Sequence, residues 1–348
     1  MAARNKKVAH LFHWPAFPEY QKSLLKVIAL PVGARGDRLY YKEKWVNRTF
    51  INEVENINKL GGSDAIFWVL SCAQAKENDK IVTKFDFACP VRLLRVKNVE
   101  KKNDYYYINF IAQGFISKIR KITEKNALEN YMKIKFDGVE IPCPGAGKGY
   151  AYTGPKIETE TTLTPFLEAL YGVLGNIPCS LEYKDGIRID SYPLLKIETI
   201  EKSEINESGL YELSAGQEYE IAFSCYQGER YRSRDIYING KRFTGKSISD
   251  KISIGEIRER KDKIDIGIEC DELGFMIPLS IVVRIPWYRR RTTALLVLFG
   301  ISAIVVLCVL KLLPKIDIYT KTVLFFVLVP LVRLLLNKIW EALTRKIE

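Results

Sequence analysis

The sequence predicts a mainly β protein, with β-rich or α+β soluble domains and a C-terminal two-helix transmembrane hairpin. Short apolar or alternating runs recur from Val8 to Ile285, the pattern of half-buried strands. Residues 292–310 are 19 consecutive uncharged, mostly aliphatic residues. As a helix they extend about 28 Å, the hydrocarbon thickness of a bilayer. A second apolar segment, residues 322–336, follows after a polar turn that contains Pro314.

Residues 1–143 are predicted to form a β-rich sensor or docking domain. Its strands are expected at residues 24–32, 38–46, 64–74, 84–96 and 104–115. This succession predicts a curled sheet or small barrel. Residues 116–131 carry apolar side chains at helical spacing and are expected to be helical. A strand pair follows, whose Asp137-Gly138 marks a tight turn.

Residues 144–195 are predicted to be a Gly/Pro-rich linker with a short connecting helix. The linker begins in residues 142–155, which combine three prolines with four glycines. Thr164 as N-cap, Pro165 at the first helical position and Gly175 beyond the end define the helix. In residues 196–286, strand-like runs separated by Gly and Asn-Gly turns predict a juxtamembrane β-sandwich.

Residues 287–348 are predicted to form an arginine collar and the transmembrane hairpin. Aromatic anchors and basic side chains meet where the first helix would enter the headgroup layer, and the predicted lipid-binding residues there are Trp287, Tyr288, Arg289, Arg290 and Arg291. Lys and Arg residues flanking the two segments favour a cell-membrane location with the soluble domains and both termini cytoplasmic.

A polar stripe runs along the second apolar segment. Arg333, Asn337 and Glu341 stand at i, i+4 and i+8 and therefore share one helix face. Two interpretations remain open. Either this end lies at the interface and Arg333 snorkels to the headgroups, or several hairpins form a homo-oligomer in which the stripe lines a water-filled pore.

The charge balance points to acidic partners. The formal net charge is +12, which suits an anionic membrane surface or nucleic acid. Arg230, Arg232 and Arg234, within the basic aromatic stretch 226–234, are predicted lipid-headgroup or phosphate contacts, with a solvated loop as the alternative. Residues 35–44 and 92–102 are also basic and partly aromatic, and are candidates for a charged partner surface.

No catalytic, metal or cofactor site is expected, so the chain is predicted not to be an enzyme. His10 and His13 are the only histidines, and strand alternation places them on opposite faces. Residues 145–149 fail as a phosphate-binding loop because Pro142 and Gly149 replace the required glycine and Ser or Thr. Seven cysteines, scattered singly, indicate reduced thiols.

The roughly 60 residues from Trp287 to the C-terminus resemble two-helix membrane effectors of prokaryotic antiviral defence, most nearly the membrane effector associated with short archaeal Argonaute proteins. The resemblance implies binding to acidic phospholipids, recruitment by a nucleic-acid-guided protein partner, and a toxin-like membrane depolarisation that kills the infected cell, as in abortive infection. The alternative function is a membrane-tethered receptor or scaffold that recruits a protein or nucleic-acid complex. Direct nucleic-acid binding is left open.

Overall fold

The computed structural model of the chain describes residues 7–132, 149–285 and 300–345, apart from gaps at 158, 164–166, 176, 178–188, 230–233, 259–260, 305, 307, 309–310 and 312–316. The chain divides into two compact units, Met1–Val283 and Arg284–Glu348. The predicted strand pair around Asp137-Gly138 lies outside the described residues.

A seven-stranded sheet, which we call the N-terminal sheet, forms the first part of the larger unit. Its strands are β1 (Lys7–His13), β2 (Leu39–Lys42), β3 (Ser63–Glu77), β4 (Lys80–Lys102), β5 (Tyr105–Ile116), β6 (Gly149–Pro155) and β7 (Thr161–Thr162). The order is β2-β5-β4-β3-β1-β6, with β7 paired to β5, and β1 runs parallel to β3. A bridge between Val46 and Ala151 brings the two sheet edges together, which is consistent with the predicted curled sheet.

Three helices accompany this sheet: α1 (Pro18–Ala29), α2 (Arg48–Lys59) and α3 (Lys125–Met132). The strand predicted at residues 24–32 is wrong, because most of that segment belongs to α1. Its apolar run fits a strand or a buried helix equally well, and Pro18 in the first turn begins the helix without losing a needed N–H. The sequence pattern did not predict α2, whose N-cap Asn47 accepts a hydrogen bond from the Thr49 N–H at 2.9 Å. The helix predicted over 116–131 is observed only as α3.

The region in which a β-sandwich was predicted is rich in strands, and we call it the sandwich. Its strands are β8 (Leu194–Ile200), β9 (Glu204–Ile205), β10 (Tyr211–Ser214), β11 (Glu218–Tyr226), β12 (Asp235–Ile238), β13 (Lys241–Thr244), β14 (Ser247–Glu256), β15 (Lys263–Cys270) and β16 (Leu273–Arg284). They form two sheets, β13-β12-β15-β16-β10-β9 and β14-β11-β8. In β15 every second residue is buried, as a one-sided sheet requires. The connecting helix is α4 (Leu167–Leu174), and Gly175 follows it. The predicted N-cap Thr164 and the predicted first helical residue Pro165 lie outside the described residues.

The N-terminal sheet and the sandwich share one hydrophobic core. Backbone hydrogen bonds join them where the chain leaves α1: the Arg35 N–H donates to the Gly209 carbonyl at 2.7 Å, and the Ser280 N–H donates to the Arg35 carbonyl at 3.1 Å. The Arg35 side chain also donates to Asn109 of β5 at 3.2 Å. Residue 35 therefore connects the sheet edge to a loop and a strand of the sandwich.

The C-terminal unit contains the helix α5 (Ile318–Arg345). The Asp317 carboxylate accepts a hydrogen bond from the Thr320 N–H at 2.8 Å and caps its first turn. Val306, from the first apolar segment, is buried in a small cluster with Val329 of α5. The described residues Ala303 and Val306 of the first apolar segment therefore pack against α5.

The predicted transmembrane hairpin is wrong: within the described residues, no helix combines the length and the apolar composition that a membrane crossing needs. In α5 only 11 uncharged residues lie between Lys321 and Arg333. Such a run spans about 16 Å, whereas the hydrocarbon core is about 30 Å thick. The first predicted span lies partly outside the described residues, which include a helical stretch at 300–304. The two-pass cell-membrane location is wrong for the same reason.

Candidate functional site

A cleft of about 710 Å³ lies between α1, the edge strand β2 and the sandwich strand β16. We call it the α1–β16 cleft. One helix face of α1 forms a wall, because Glu19, Lys22, Ser23 and Lys26 recur at helical spacing. A second wall belongs to the sandwich and is lined by Phe275, Met276 and Pro278. The cleft is thus built from both parts of the larger unit.

The cations of the cleft differ in their ion pairing. Lys26 contacts Asp37 at 3.0 Å, and Arg38 contacts Glu100 of β4 at 3.2 Å. The side-chain ammonium group of Lys22 has no ion-pair or hydrogen-bond partner among the residues that the structure describes. Exposed pairs of this kind exchange readily with other anions because each contributes little to stability. Judged from the described residues, the cleft therefore offers one ammonium group without an ion pair, that of Lys22, beside two weakly paired cations.

Aromatic side chains form the part of the cleft next to the sheet edge. Tyr40 of β2 and Tyr107 of β5 are directly paired across the two strands, with ring centroids 6.1 Å apart. Tyr105 lies beside this pair but outside the set of lining residues, with its ring centroid 6.0 Å from that of Tyr40. Partial burial raises the pKa of Tyr40, with smaller contributions from Glu19, Tyr105 and Tyr107. At neutral pH Tyr40 is therefore a neutral phenol that can donate a hydrogen bond.

A buried arginine holds the α1 wall in place. Arg92 of β4 is 0% exposed, and its guanidinium donates to the carbonyl oxygens of Val27 at 2.6 Å and Leu30 at 2.7 Å. The same group lies 4.2 Å from the centre of the Phe115 ring. Carbonyl groups at the end of a helix have no intrahelical partner and carry partial negative charge. Arg92 therefore neutralises the C-terminal end of α1 and fixes it to the sheet.

The two histidines lie on opposite faces of β1, as predicted. His10 accepts a hydrogen bond from the Trp68 indole N–H at 3.1 Å, so its proton lies on Nε2. That atom has no partner in the described part of the chain. On the opposite face of β1 from His10, the His13 ring donates a hydrogen bond to the Tyr20 carbonyl oxygen at 2.7 Å. The same ring contacts the Phe67 ring. Both rings are buried, so neither can reach a ligand in solvent.

Most predicted lipid-binding and pore residues cannot be placed. Of the predicted lipid contacts only Arg234 lies within the described residues, where it forms an ion pair with Asp271. The others lie outside them: Trp287, Tyr288, Arg289, Arg290, Arg291, Arg230 and Arg232. Arg333, Asn337 and Glu341 belong to α5, but their side chains are not described. The lipid-binding and pore roles assigned to these residues therefore stay predictions.

Within the described ranges, no group of three or more His, Cys, Asp or Glu side chains is placed to hold a metal ion. Of the cysteines described there, Cys89, Cys225, Cys270 and Cys308 are free thiols. Burial raises the pKa of Cys89 to about 12 and also raises that of Cys225. Thiols of this kind stay protonated and are poor nucleophiles.

Sequence patterns indicated only part of the α1–β16 cleft. Residues 35–44 were predicted to be a charged partner surface, and Arg38 and Tyr40 line the cleft. Lys22 and Lys26 were missed, because the helix that aligns them was not predicted. The signal that could have indicated them is the four-residue spacing of these two lysines between Pro18 and Ala29, which is typical of one helix face. No protein-family model, curated protein or solved structure matches this chain.

Proposed function

We propose that the unit Met1–Val283 is a receptor module that binds a small anionic ligand in the α1–β16 cleft. The main observation behind the proposal is that the walls of the cleft come from two different parts of this unit. Lys22 and Lys26 come from the helix beside the N-terminal sheet, whereas Phe275 and Met276 come from the sandwich. A ligand that contacts both walls stabilises their relative arrangement, which is the property a receptor needs.

The size and chemistry of the cleft support this proposal. Its volume of about 710 Å³ lies within the range of roughly 300–1,000 Å³ found for small-molecule sites. Such sites combine apolar and aromatic lining with a few polar groups that orient the ligand. Here Phe110 and Phe275 supply apolar surface, and Lys22 supplies an uncommitted charge. The Arg92 anchor favours a preformed wall, which lowers the entropic cost of binding.

The receptor proposal keeps one part of the predicted functions. Recruitment of a partner complex is compatible with a ligand-binding unit. The antiviral membrane effector depended on a membrane-spanning hairpin, which the described residues do not provide.

A thermal-shift panel on the full chain tests the proposal. The panel contains inorganic phosphate, sugar phosphates, dicarboxylates and mononucleotides, each with wild type, Lys22→Glu and Lys80→Glu. Lys80 lies exposed at the start of β4 and serves as the matched control. A ligand at about 100 times its Kd adds about 2.7 kcal/mol to the unfolding free energy. We expect at least one anion to raise the Tm of wild type and Lys80→Glu but not of Lys22→Glu. Equal shifts in all three proteins, or none, would contradict the proposal.

A further inference from the structure

We infer that the ligand of the α1–β16 cleft is a nucleotide unit that carries a single phosphate group. This inference rests on the proposed receptor function and specifies its ligand class. It combines two features that lie together in the cleft: cationic side chains on α1 and a tyrosine pair on the neighbouring sheet edge. Inorganic phosphate would use only the first feature, and an uncharged ring compound only the second.

The cationic side of the cleft matches one phosphate. Lys22 and Lys26 stand at i and i+4 and so lie one turn apart on the same face of α1. Lys26 already contacts Asp37, and Arg38 already contacts Glu100, so much of their charge is balanced. Lys22 is the lining cation that has no ion pair with any described residue. A nucleoside monophosphate fits this balance better than a triphosphate, whose additional charge would lie close to Glu19 and Asp37.

The tyrosine pair supplies a surface for a flat ring. Tyr40 and Tyr107 are neighbours on one face of the β2–β5 pair, and their rings are tilted by 38° rather than stacked face to face. Tyr40 is 36% exposed. Nucleobases bind such exposed aromatic side chains by stacking, with little dependence on base identity.

A nucleotide unit with one phosphate can come from two sources, a free mononucleotide or the end of a single strand. The shared chemistry is one base, one sugar and one phosphate. The cleft is open to solvent rather than enclosed, so either source can enter it. Both sources present the same recognition chemistry, and the measurement distinguishes them.

Isothermal titration of the full chain tests the inference with four probes: AMP, adenosine, inorganic phosphate and a 5′-phosphorylated tetranucleotide. We expect AMP or the tetranucleotide to bind. Adenosine and inorganic phosphate should bind at least about tenfold more weakly, because each lacks one favourable contact. Tighter binding of AMP identifies a free nucleotide as the source. Tighter binding of the tetranucleotide identifies a strand end.

Two substitutions link binding to the cleft. Lys22→Glu and Tyr107→Ala should each weaken nucleotide binding by about tenfold or more, while Lys80→Glu should not. Because Tyr107→Ala removes packing, Tyr40→Ala is measured as a second ring variant, and circular dichroism confirms that each variant is folded. Binding that is unchanged in Lys22→Glu and in both ring variants overturns the inference.

The outcomes also separate this inference from the receptor proposal. If neither nucleotide probe binds but another anion of the thermal-shift panel stabilises the protein through Lys22, the nucleotide assignment is wrong and the receptor function stands. If no probe binds in a way that depends on Lys22, both are wrong.

Discussion

Inside the protein, the Arg92 Nη1 group donates a hydrogen bond to the Val27 carbonyl oxygen at 2.6 Å. The same guanidinium donates to Ile28 at 3.2 Å, to Leu30 at 2.7 Å and to Gln113 at 2.8 Å. The cation thus satisfies carbonyl groups that the end of α1 leaves open and lies at the negative end of the helix dipole. Because α1 also lines the α1–β16 cleft, this contact connects the proposed ligand site to the core of the N-terminal sheet.

Arg92→Met should destabilise the protein strongly. Methionine fills part of the same volume but leaves several buried carbonyl groups without donors, and each such group costs about 1–3 kcal/mol. We expect the free energy of unfolding to fall by about 3 kcal/mol or more, measured by urea denaturation. Arg95→Met is the matched control, because Arg95 lies on the same strand with its side chain exposed. Similar losses in the two variants would show that the buried hydrogen bonds contribute little.

Stability should fall with acidification through His10. Burial lowers the pKa of His10 to about 3 from its ordinary value of 6.5. Below about pH 6.5 the unfolded chain binds a proton at His10 while the folded protein stays neutral there, so protonation favours unfolding. The resulting loss is about 1.5 kcal/mol between about pH 6.5 and pH 5.

His10→Gln isolates this effect, because glutamine keeps an acceptor for the Trp68 N–H but does not titrate. Denaturation curves at several pH values should give a smaller slope for His10→Gln than for wild type over this window. If the two slopes coincide, His10 is not the group responsible.

Gly209→Ala should loosen the junction between the N-terminal sheet and the sandwich. Gly209 has a φ of +76°, and a Cβ there would lie 2.9 Å from the Gly33 carbonyl oxygen and 2.9 Å from Ile111. Gly240 has nearly the same φ, +78°, and a Cβ there would meet no described atom within 4 Å. Gly240→Ala therefore measures the backbone strain alone, about 1 kcal/mol.

The difference between the two glycine variants reports the clash at the junction. We expect Gly209→Ala to be less stable than Gly240→Ala by about 1–2 kcal/mol, the cost of overpacking, in thermal or urea unfolding. Gly209→Ala should also increase amide hydrogen exchange at Arg35, whose N–H donates to the Gly209 carbonyl. Equal stability of the two variants would mean that the junction tolerates the extra methyl group.

Much of the strand structure was predictable from the sequence. The runs that became β3, β4 and β5 alternate or carry β-branched and aromatic residues, and Asn239-Gly240 marks the β12–β13 hairpin turn, where both residues adopt positive φ. The strand predicted at residues 24–32 is instead mostly α1, because a short apolar run does not distinguish a strand from a buried helix. The transmembrane hairpin was inferred from the lengths of two apolar runs, but Lys321 and Arg333 limit the uncharged part of the second.

The α1–β16 cleft was only partly predictable, for a physical reason. Its walls come from segments far apart in the chain, around residues 22, 38, 107 and 276. Local patterns indicate secondary structure, but they contain no information on how the sandwich docks against the sheet edge. That arrangement depends on contacts such as the one between Arg35 and Gly209, which appear only when the fold is known.

Chemical labelling at residue 276 tests the central claim, that the α1–β16 cleft is a ligand site, most directly. Met276→Cys places a thiol on the sandwich wall, and Tyr237→Cys places one on β12 outside the cleft, at an exposed position. Peptide mass spectrometry then follows modification by a maleimide at each position, separately from the natural thiols. We predict that a saturating ligand slows labelling of Met276→Cys and leaves Tyr237→Cys unchanged. Unchanged labelling of Met276→Cys with the ligand bound would contradict the claim.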